Sequence, residues 1–170
     1  MDGTVITVRP ALTSDIDSIV EVHDDAWRSA YRGIIPGREL ERLVSRRGPR
    51  WWRSAIVRRS GLLVFEFDSS IAGYVSFGRN RTHSLPFAGE VFELYVAPSH
   101  QGLGFGRLLF EAARRKLALH GHQSTLVWAL AENENAIGFY RALGGVVVGQ
   151  ARESFGSRTL ERIAFGFSGA

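Results

Sequence analysis

Three alternate glycines, Gly102, Gly104 and Gly106, stand just after a β-branched and aromatic run, Val91-Phe92-Glu93-Leu94-Tyr95-Val96, that Ala97-Pro98 stops. Glycine adopts positive φ at little cost and has no Cβ, so backbone N–H groups in such a loop can turn toward a bound group at close range. An amphipathic helical pattern begins at once with Phe105, Arg107 and Leu108. A helix starting there directs unpaired N–H groups and about half a positive charge back at the loop. A strand, a glycine loop and a helix N-terminus in this order form a site for phosphate or pyrophosphate. Two common loops of this kind do not fit. A P-loop carries Lys and then Ser or Thr after its last glycine, where this chain has Arg107 and Leu108. The dinucleotide fingerprint has its third glycine where Arg107 stands, and an acidic residue about twenty positions on, where the chain reads Leu126-Val127-Trp128.

The elements that hold this loop follow from periodicity. Val5 to Arg9 alternates as a first strand, and Thr13 or Ser14 caps a helix with Ile16, Ile19, Val20, His23, Trp27, Ala30 and Tyr31 on one face. Gly33 and Pro36 break it. Two shorter helices are predicted near Arg38–Val44 and Pro49–Arg58. Leu62–Phe67 and Ile71–Gly78 read as a hairpin turning at Asp68-Ser69-Ser70, and Arg79–Ala88 as a polar loop. Glu90–Ala97 is the strand before the glycines. Phe105, Leu108, Leu109, Ala112 and Leu119 set the buried face of the helix after them. Thr125–Leu130 is a buried strand, Asn133–Leu143 a short helix stopped by Gly144-Gly145, and Val146–Glu153 with Arg158–Phe167 a second hairpin. Neighbouring strand pairs with helices between some of them predict an α/β fold, a mixed sheet covered on both faces, in one domain spanning residues 1–170.

Two segments carry a family resemblance. Gln101-Gly102-Leu103-Gly104-Phe105-Gly106 is similar to the Gln/Arg-x-x-Gly-x-Gly/Ala signature of the GNAT superfamily of acyl-CoA-dependent N-acyltransferases, and Leu94-Tyr95-Val96-Ala97-Pro98 resembles its fourth strand. Asn133-Glu134-Asn135-Ala136-Ile137-Gly138-Phe139-Tyr140-Arg141-Ala142-Leu143-Gly144 resembles its second signature, with Gly145 standing where the family usually has Phe. Ala26-Trp27-Arg28-Ser29-Ala30-Tyr31-Arg32-Gly33-Ile34-Ile35-Pro36 is similar to an opening common in bacterial members. The resemblance implies a six- or seven-stranded sheet, splayed between its fourth and fifth strands, and acetyl-CoA or coenzyme A as cofactor. It further implies that the cofactor's pantetheine arm runs beside Leu94, Tyr95 and Val96 and its pyrophosphate meets Gln101, Gly102, Leu103, Gly104, Phe105, Gly106 and Arg107. Asn133, Ala136, Phe139 and Tyr140 complete that implied cofactor set.

Acetyl transfer to an amine raises two proton problems. An amine with a pKa near 10 is only about one part in a thousand neutral at pH 7, a handicap of roughly 4 kcal/mol. The leaving thiol, with a pKa near 8.5, needs less help. By the resemblance, Tyr140 is the candidate acid for the departing sulfur; the alternative is a buried aromatic whose hydroxyl bonds locally. Glu90 and Glu93 are the candidate bases, and a water chain to a backbone carbonyl is a third route. On a regular strand the two glutamates face opposite sides. His23, Trp27 and Tyr31 are candidate acceptor-side residues by the same analogy, although His23 also reads as a satisfied core residue. The histidines have no metal-ligand spacing, so no metal is expected.

Composition sets the remaining bounds. With no cysteine the chain has no disulfide, thiolate metal site or cysteine nucleophile. The net charge of +4 suits a polyanionic cofactor. Arg46, Arg47, Arg50, Arg53, Arg58 and Arg59 around Trp51-Trp52 read as the solvated face of a helix whose tryptophans pack inward. Nucleic-acid binding through that segment is the competing reading, and a non-catalytic acyl-CoA-binding module another. Met1-Asp2-Gly3-Thr4 does not open a signal peptide, and no apolar run approaches the roughly twenty residues that cross a bilayer, so a cytoplasmic protein free of membranes is expected. The expected acceptor is a small-molecule or peptide amine. A homodimer through the Trp51-Trp52 segment is also expected.

Overall fold

The computed structural model describes residues 3–169. Met1 and Asp2, on which the reading of a missing leader partly rests, lie outside the described residues. Seven strands form one sheet: β1 (Ile6–Pro10), β2 (Gly61–Phe67), β3 (Ser70–Arg79), β4 (Gly89–Val96), β5 (Thr125–Leu130), β6 (Val146–Phe155) and β7 (Arg158–Phe167). Their order across the sheet is β1-β2-β3-β4-β5-β7-β6. All neighbours are antiparallel except β4 and β5, which are parallel.

Helices cover both faces. On one side lie α4 (Phe105–Leu119) and α5 (Glu134–Ala142), packed over Phe65, Val75, Val91, Val127 and Phe165. On the other, α1 (Ile16–Tyr31) and α3 (Pro49–Val57) close over Leu62, Val64 and Tyr74, while α2 (Gly37–Arg46) packs with Leu130 and Leu160. The buried stripe of α4 is Phe105, Leu109, Phe110, Ala112, Ala113 and Leu117. Leu108 and Leu119, assigned to that stripe from periodicity, are exposed. Phe110, Ala113 and Leu117 take their places, a rotation of the stripe within the spread of a wide apolar face.

The start of α1 also differs from expectation. Thr13–Asp15 form a 3-10 turn, and neither Thr13 nor Ser14 supplies the cap. Asp15 closes the turn that leads into the helix instead: its carboxylate accepts from the Leu12 N–H at 2.8 Å and from Arg9 on β1 at 2.8 and 3.0 Å. An acid that caps a turn and pairs with an arginine satisfies several donors at once, which a hydroxyl cannot. The basic segment is split too. Trp52 is buried, Trp51 is half exposed, and Arg47 turns inward while Arg46, Arg50, Arg53, Arg58 and Arg59 face solvent. Only Trp51 and Val57 of this segment therefore offer large apolar surface to a second copy, less than the paired tryptophans suggested. No helix among the described residues is long and apolar enough to cross a membrane.

Candidate active site

Pairing between β4 and β5 lasts three residues, Gly89 with Thr125, Glu90 with Leu126 and Val91 with Val127. Beyond them β4 continues to Val96 beside β3 alone, and β5 continues to Leu130 beside β7 alone. The two strands diverge, and residues 92–96 keep one backbone edge open. Open-edge N–H and C=O groups need partners, and a ligand lying along the edge supplies them. A cleft of about 640 Å³ fills the gap.

At one end of the cleft is the glycine loop. Gly102 and Gly104 have φ of 78° and 85°, and a Cβ at either would meet no other atom within 4 Å, so conformation and not crowding demands glycine there. A side chain in this left-handed region is strained by about 1 kcal/mol or more. Gly104 is the N-cap of α4, whose fifteen residues aim their dipole and first N–H groups into the cleft. Gly106 serves packing instead: its missing Cβ would stand 3.1 Å from the Phe139 ring, which α5 lays against the first turn of α4. Gln101 is engaged with the protein, its Nε2 donating to the Val96 carbonyl at 3.0 Å, so the loop is pinned to the end of β4. Leu103 points to solvent and does not line the cleft. Arg107 lines it while pairing with Glu111 one turn on at 2.9 Å.

α5 closes the second wall. Asn133 caps it, its side chain accepting from the Ala136 N–H at 3.3 Å. Asn133, Ala136, Phe139 and Tyr140 all line the cleft. Tyr140 is 6% exposed and sits among Phe110, Phe139, Phe165 and Phe167, at ring separations of 5.8, 5.0, 5.9 and 6.5 Å. Burial raises its hydroxyl well above the usual tyrosine value, with a smaller push from Tyr31, so it stays protonated at neutral pH.

At the opposite end α1 meets β4. The Tyr31 and Tyr95 hydroxyls hydrogen-bond at 2.6 Å, and both residues line the cleft. Burial pushes Tyr31 up to about 12, opposed by that hydrogen bond. The side chain of Tyr95 thus faces α1, leaving its backbone at the open edge, whereas Leu94 and Val96 face the α4 side.

The two glutamates are not on opposite faces. β4 bulges at Phe92: Ser76 pairs with Glu93, but the next residue, Phe77, pairs with Val91. The extra residue resets the alternation. Val91 and Leu94 both pack toward α4, so Glu90 and Glu93 both point to the other side. They have different surroundings. Glu90 is 5% exposed, lies in the closed part of the strand pair, accepts from the Arg81 N–H at 3.0 Å and does not line the cleft. Glu93 does line it, ion-paired with Arg47 and 3.4 Å from the Tyr74 hydroxyl.

His23 and Trp27 lie behind the cleft and not on its wall. The His23 ring is fully buried between Trp27 and Trp52, at 5.1 and 5.7 Å, with Nδ1 2.8 Å from Asp24. Burial lowers its pKa against the opposing pull of Asp24, so the ring is neutral near pH 7. Residues that the sequence reading missed include Ala26, Ser29 and Ala30 of α1 and Phe92 and Trp128 on the two diverging strands. Trp128, an aromatic in a strand otherwise read as buried, carried a visible signal; the α1 residues are small and carried none. Among the described residues no cluster of His, Asp or Glu has the geometry to hold a metal.

A glycine loop at a helix N-terminus beside a splayed parallel strand pair is the arrangement that the two motifs implied. A family model described as the acetyltransferase (GNAT) family matches residues 18–145. Over 164 residues the chain is 30% identical to the uncharacterized N-acetyltransferase YuaI of Bacillus subtilis, covering 96% of this chain and 93% of that protein. Its fold is similar to PaiA N-acetyltransferase from Thermoplasma acidophilum, solved in complex with coenzyme A. That match has a TM-score of 0.76 and 20% identity, over 93% of this chain and 98% of that one. It is likewise similar to YncA from Salmonella typhimurium, solved with its cofactor acetyl-CoA (TM-score 0.69, 22% identity, 96% and 94% covered). The matched span takes in both signature segments and every strand from β2 to β5, and on that ground the chain belongs to the GNAT acetyltransferase family.

Proposed function

We propose that this protein transfers the acetyl group of acetyl-CoA to a primary amine, by direct attack within a ternary complex. The observation that carries the reading is the continuous cleft, which joins an anion-binding glycine loop, an open strand edge and an aromatic far end that holds Glu93. The residues present fit the cofactor: loop and helix N–H groups suit its pyrophosphate, and the open edge of residues 92–96 suits the amides of its arm. When bound, acetyl-CoA supplies an activated acetyl thioester whose thiolate leaves readily.

The chain's own residues manage position and protons. Tyr140 holds its hydroxyl proton through neutral pH and is the group that protonates the departing sulfur. Glu93 receives the amine proton, directly or through water, because it lines the cleft and Glu90 does not. Tyr31, Tyr95 and Trp128 exclude water at the acceptor end. With no cysteine to hold an acetyl group, direct transfer is the simpler chemistry. A cytoplasmic location and a homodimer through the Trp51 end of α3 belong to the same reading. Light scattering checks the dimer, and a monomer mass at micromolar concentration would count against it.

A panel of amines, peptides among them, assayed for free-thiol release from acetyl-CoA tests the function. Initial rates varied in both substrates should give intersecting lines, and parallel lines would refute direct transfer. In that assay Glu93→Gln should lower kcat/KM more than Glu90→Gln does. The reverse order would return the role to Glu90.

A further inference from the structure

The junction of α2 and α3 places a cation behind the acceptor end of the cleft, paired with a residue of its wall and not itself on that wall. Arg47 Nη1 is ion-paired with Glu93 Oε2, and its guanidinium carbon lies 4.2 Å from the centre of the Trp51 ring and 5.8 Å from that of Trp27. Its backbone is fixed as well, the Arg47 carbonyl accepting from Trp52 Nε1 at 3.1 Å. Arginine suits this slot because a planar guanidinium stacks on an aromatic face while its edge donates to a carboxylate. Both charged groups are largely out of solvent, with side-chain exposures of 25% and 10%. His23, buried behind Trp27, is neutral and adds no second positive charge. Glu93 is the only carboxylate among the described residues that line the cleft, and the lining cation Arg107 lies at the glycine-loop end.

We propose that Arg47 is a charge-selecting residue for the acceptor: by pairing with Glu93 it leaves the acceptor end without net charge, and so disfavours amines that carry a second cation near the reacting nitrogen. The inference rests on the amine-acceptor reading given above. A second ammonium would find the carboxylate already partnered and would feel the guanidinium behind Glu93 in a site that screens charge poorly. An uncharged body meets only the aromatic walls. Selectivity of this kind works by repulsion of the wrong partner as much as by attraction of the right one.

Two probes with the same four-carbon chain separate the charge effect from chain size: butylamine and 1,4-diaminobutane, assayed with the full chain and acetyl-CoA. Wild type should prefer butylamine in kcat/KM. Arg47→Met should shift the ratio toward the diamine by about tenfold or more, through KM for the diamine, while any change in kcat through Glu93 falls on both amines alike. Arg47→Lys keeps the charge and should keep the wild-type ratio. Arg47→Met combined with Glu93→Gln removes both charges and should return the ratio toward wild type, whatever its absolute rate. An unchanged ratio in Arg47→Met overturns the proposal, and so does an equal shift in Arg47→Lys. If Arg47→Met does not fold, as judged by melting with coenzyme A, Arg47→Gln removes the charge with a polar side chain and takes its place, and an unchanged ratio there overturns the proposal in the same way. If wild type releases no thiol with any amine, the function reading fails by itself. Calorimetric affinities of the two probes for the coenzyme A-saturated protein then read the same ratio, and equal effects of Arg47→Met on both overturn the inference.

Discussion

Tyr140 is gripped by rings from α4, α5 and β7 and lines the cleft. Tyr140→Phe keeps those ring contacts, so acetyl-CoA affinity should hardly change while turnover falls about a hundredfold, the lower end of what general acid catalysis contributes. Burial moves the hydroxyl's ionisation upward, so Tyr140 should impose no alkaline limb on the wild-type rate profile below about pH 10. Stopped-assay rates from pH 6 to 10 check both statements, and wild-type turnover in the variant would make Tyr140 a packing residue. At this scale the sequence was legible where a motif fixed a backbone position. It misled where a side chain's direction depended on one extra residue: period two put Glu90 and Glu93 on opposite faces, and the bulge at Phe92 reversed that. His23 and Trp27 lie on the helix face that meets the sheet, and nothing in their spacing distinguishes the wall of a cleft from the packing behind it.

Among the elements, α4 and α1 depend on their first turns in different ways. For α4 the requirement is a left-handed residue. Gly104→Val should cost about 1–2 kcal/mol of stability in urea denaturation and abolish the rise in melting temperature that acetyl-CoA gives wild type. A persistent rise would remove the pyrophosphate from the loop. For α1 the requirement is a charge. Arg9 holds the Asp15 carboxyl below its ordinary pKa, helped by the Leu12 N–H and opposed by burial. A depressed pKa gives stability that is complete above the unfolded value, about 3.9, and is lost as pH falls through the folded value. Asp15→Asn should therefore cost about 2 kcal/mol at pH 7, and its gap to wild type should narrow below about pH 4 in the same denaturation assay. Strand and helix order was readable because turns and periodicity are local signals. The capping acid was hidden, since its partner Arg9 lies on another element.

The whole molecule is a sheet with helical cover on both faces, and two clusters of rings and aliphatics meet it from opposite sides. That two-sided cover was legible from the alternation of strand and helix patterns. The divergence of β4 from β5 was not. No residue type marks the place where pairing stops, and only the resemblance to a family pointed to it. Three paired residues join β4 to β5, whereas seven join β3 to β4 and six join β5 to β7. Mechanically the sheet is therefore two stiff panels stitched by a short seam. A ligand threaded along the open edge of residues 92–96 would act as mortar between them, contributing rigidity as well as a reacting group. Hydrogen exchange reads this directly. Amides on the open edge of β4 and along β5 beyond Val127 should exchange faster than those of β2 and β3 in the free protein, and coenzyme A should slow them without slowing β2. The protein would then breathe between its halves whenever the cofactor departs, so each turnover carries with it one softening and one stiffening of the seam.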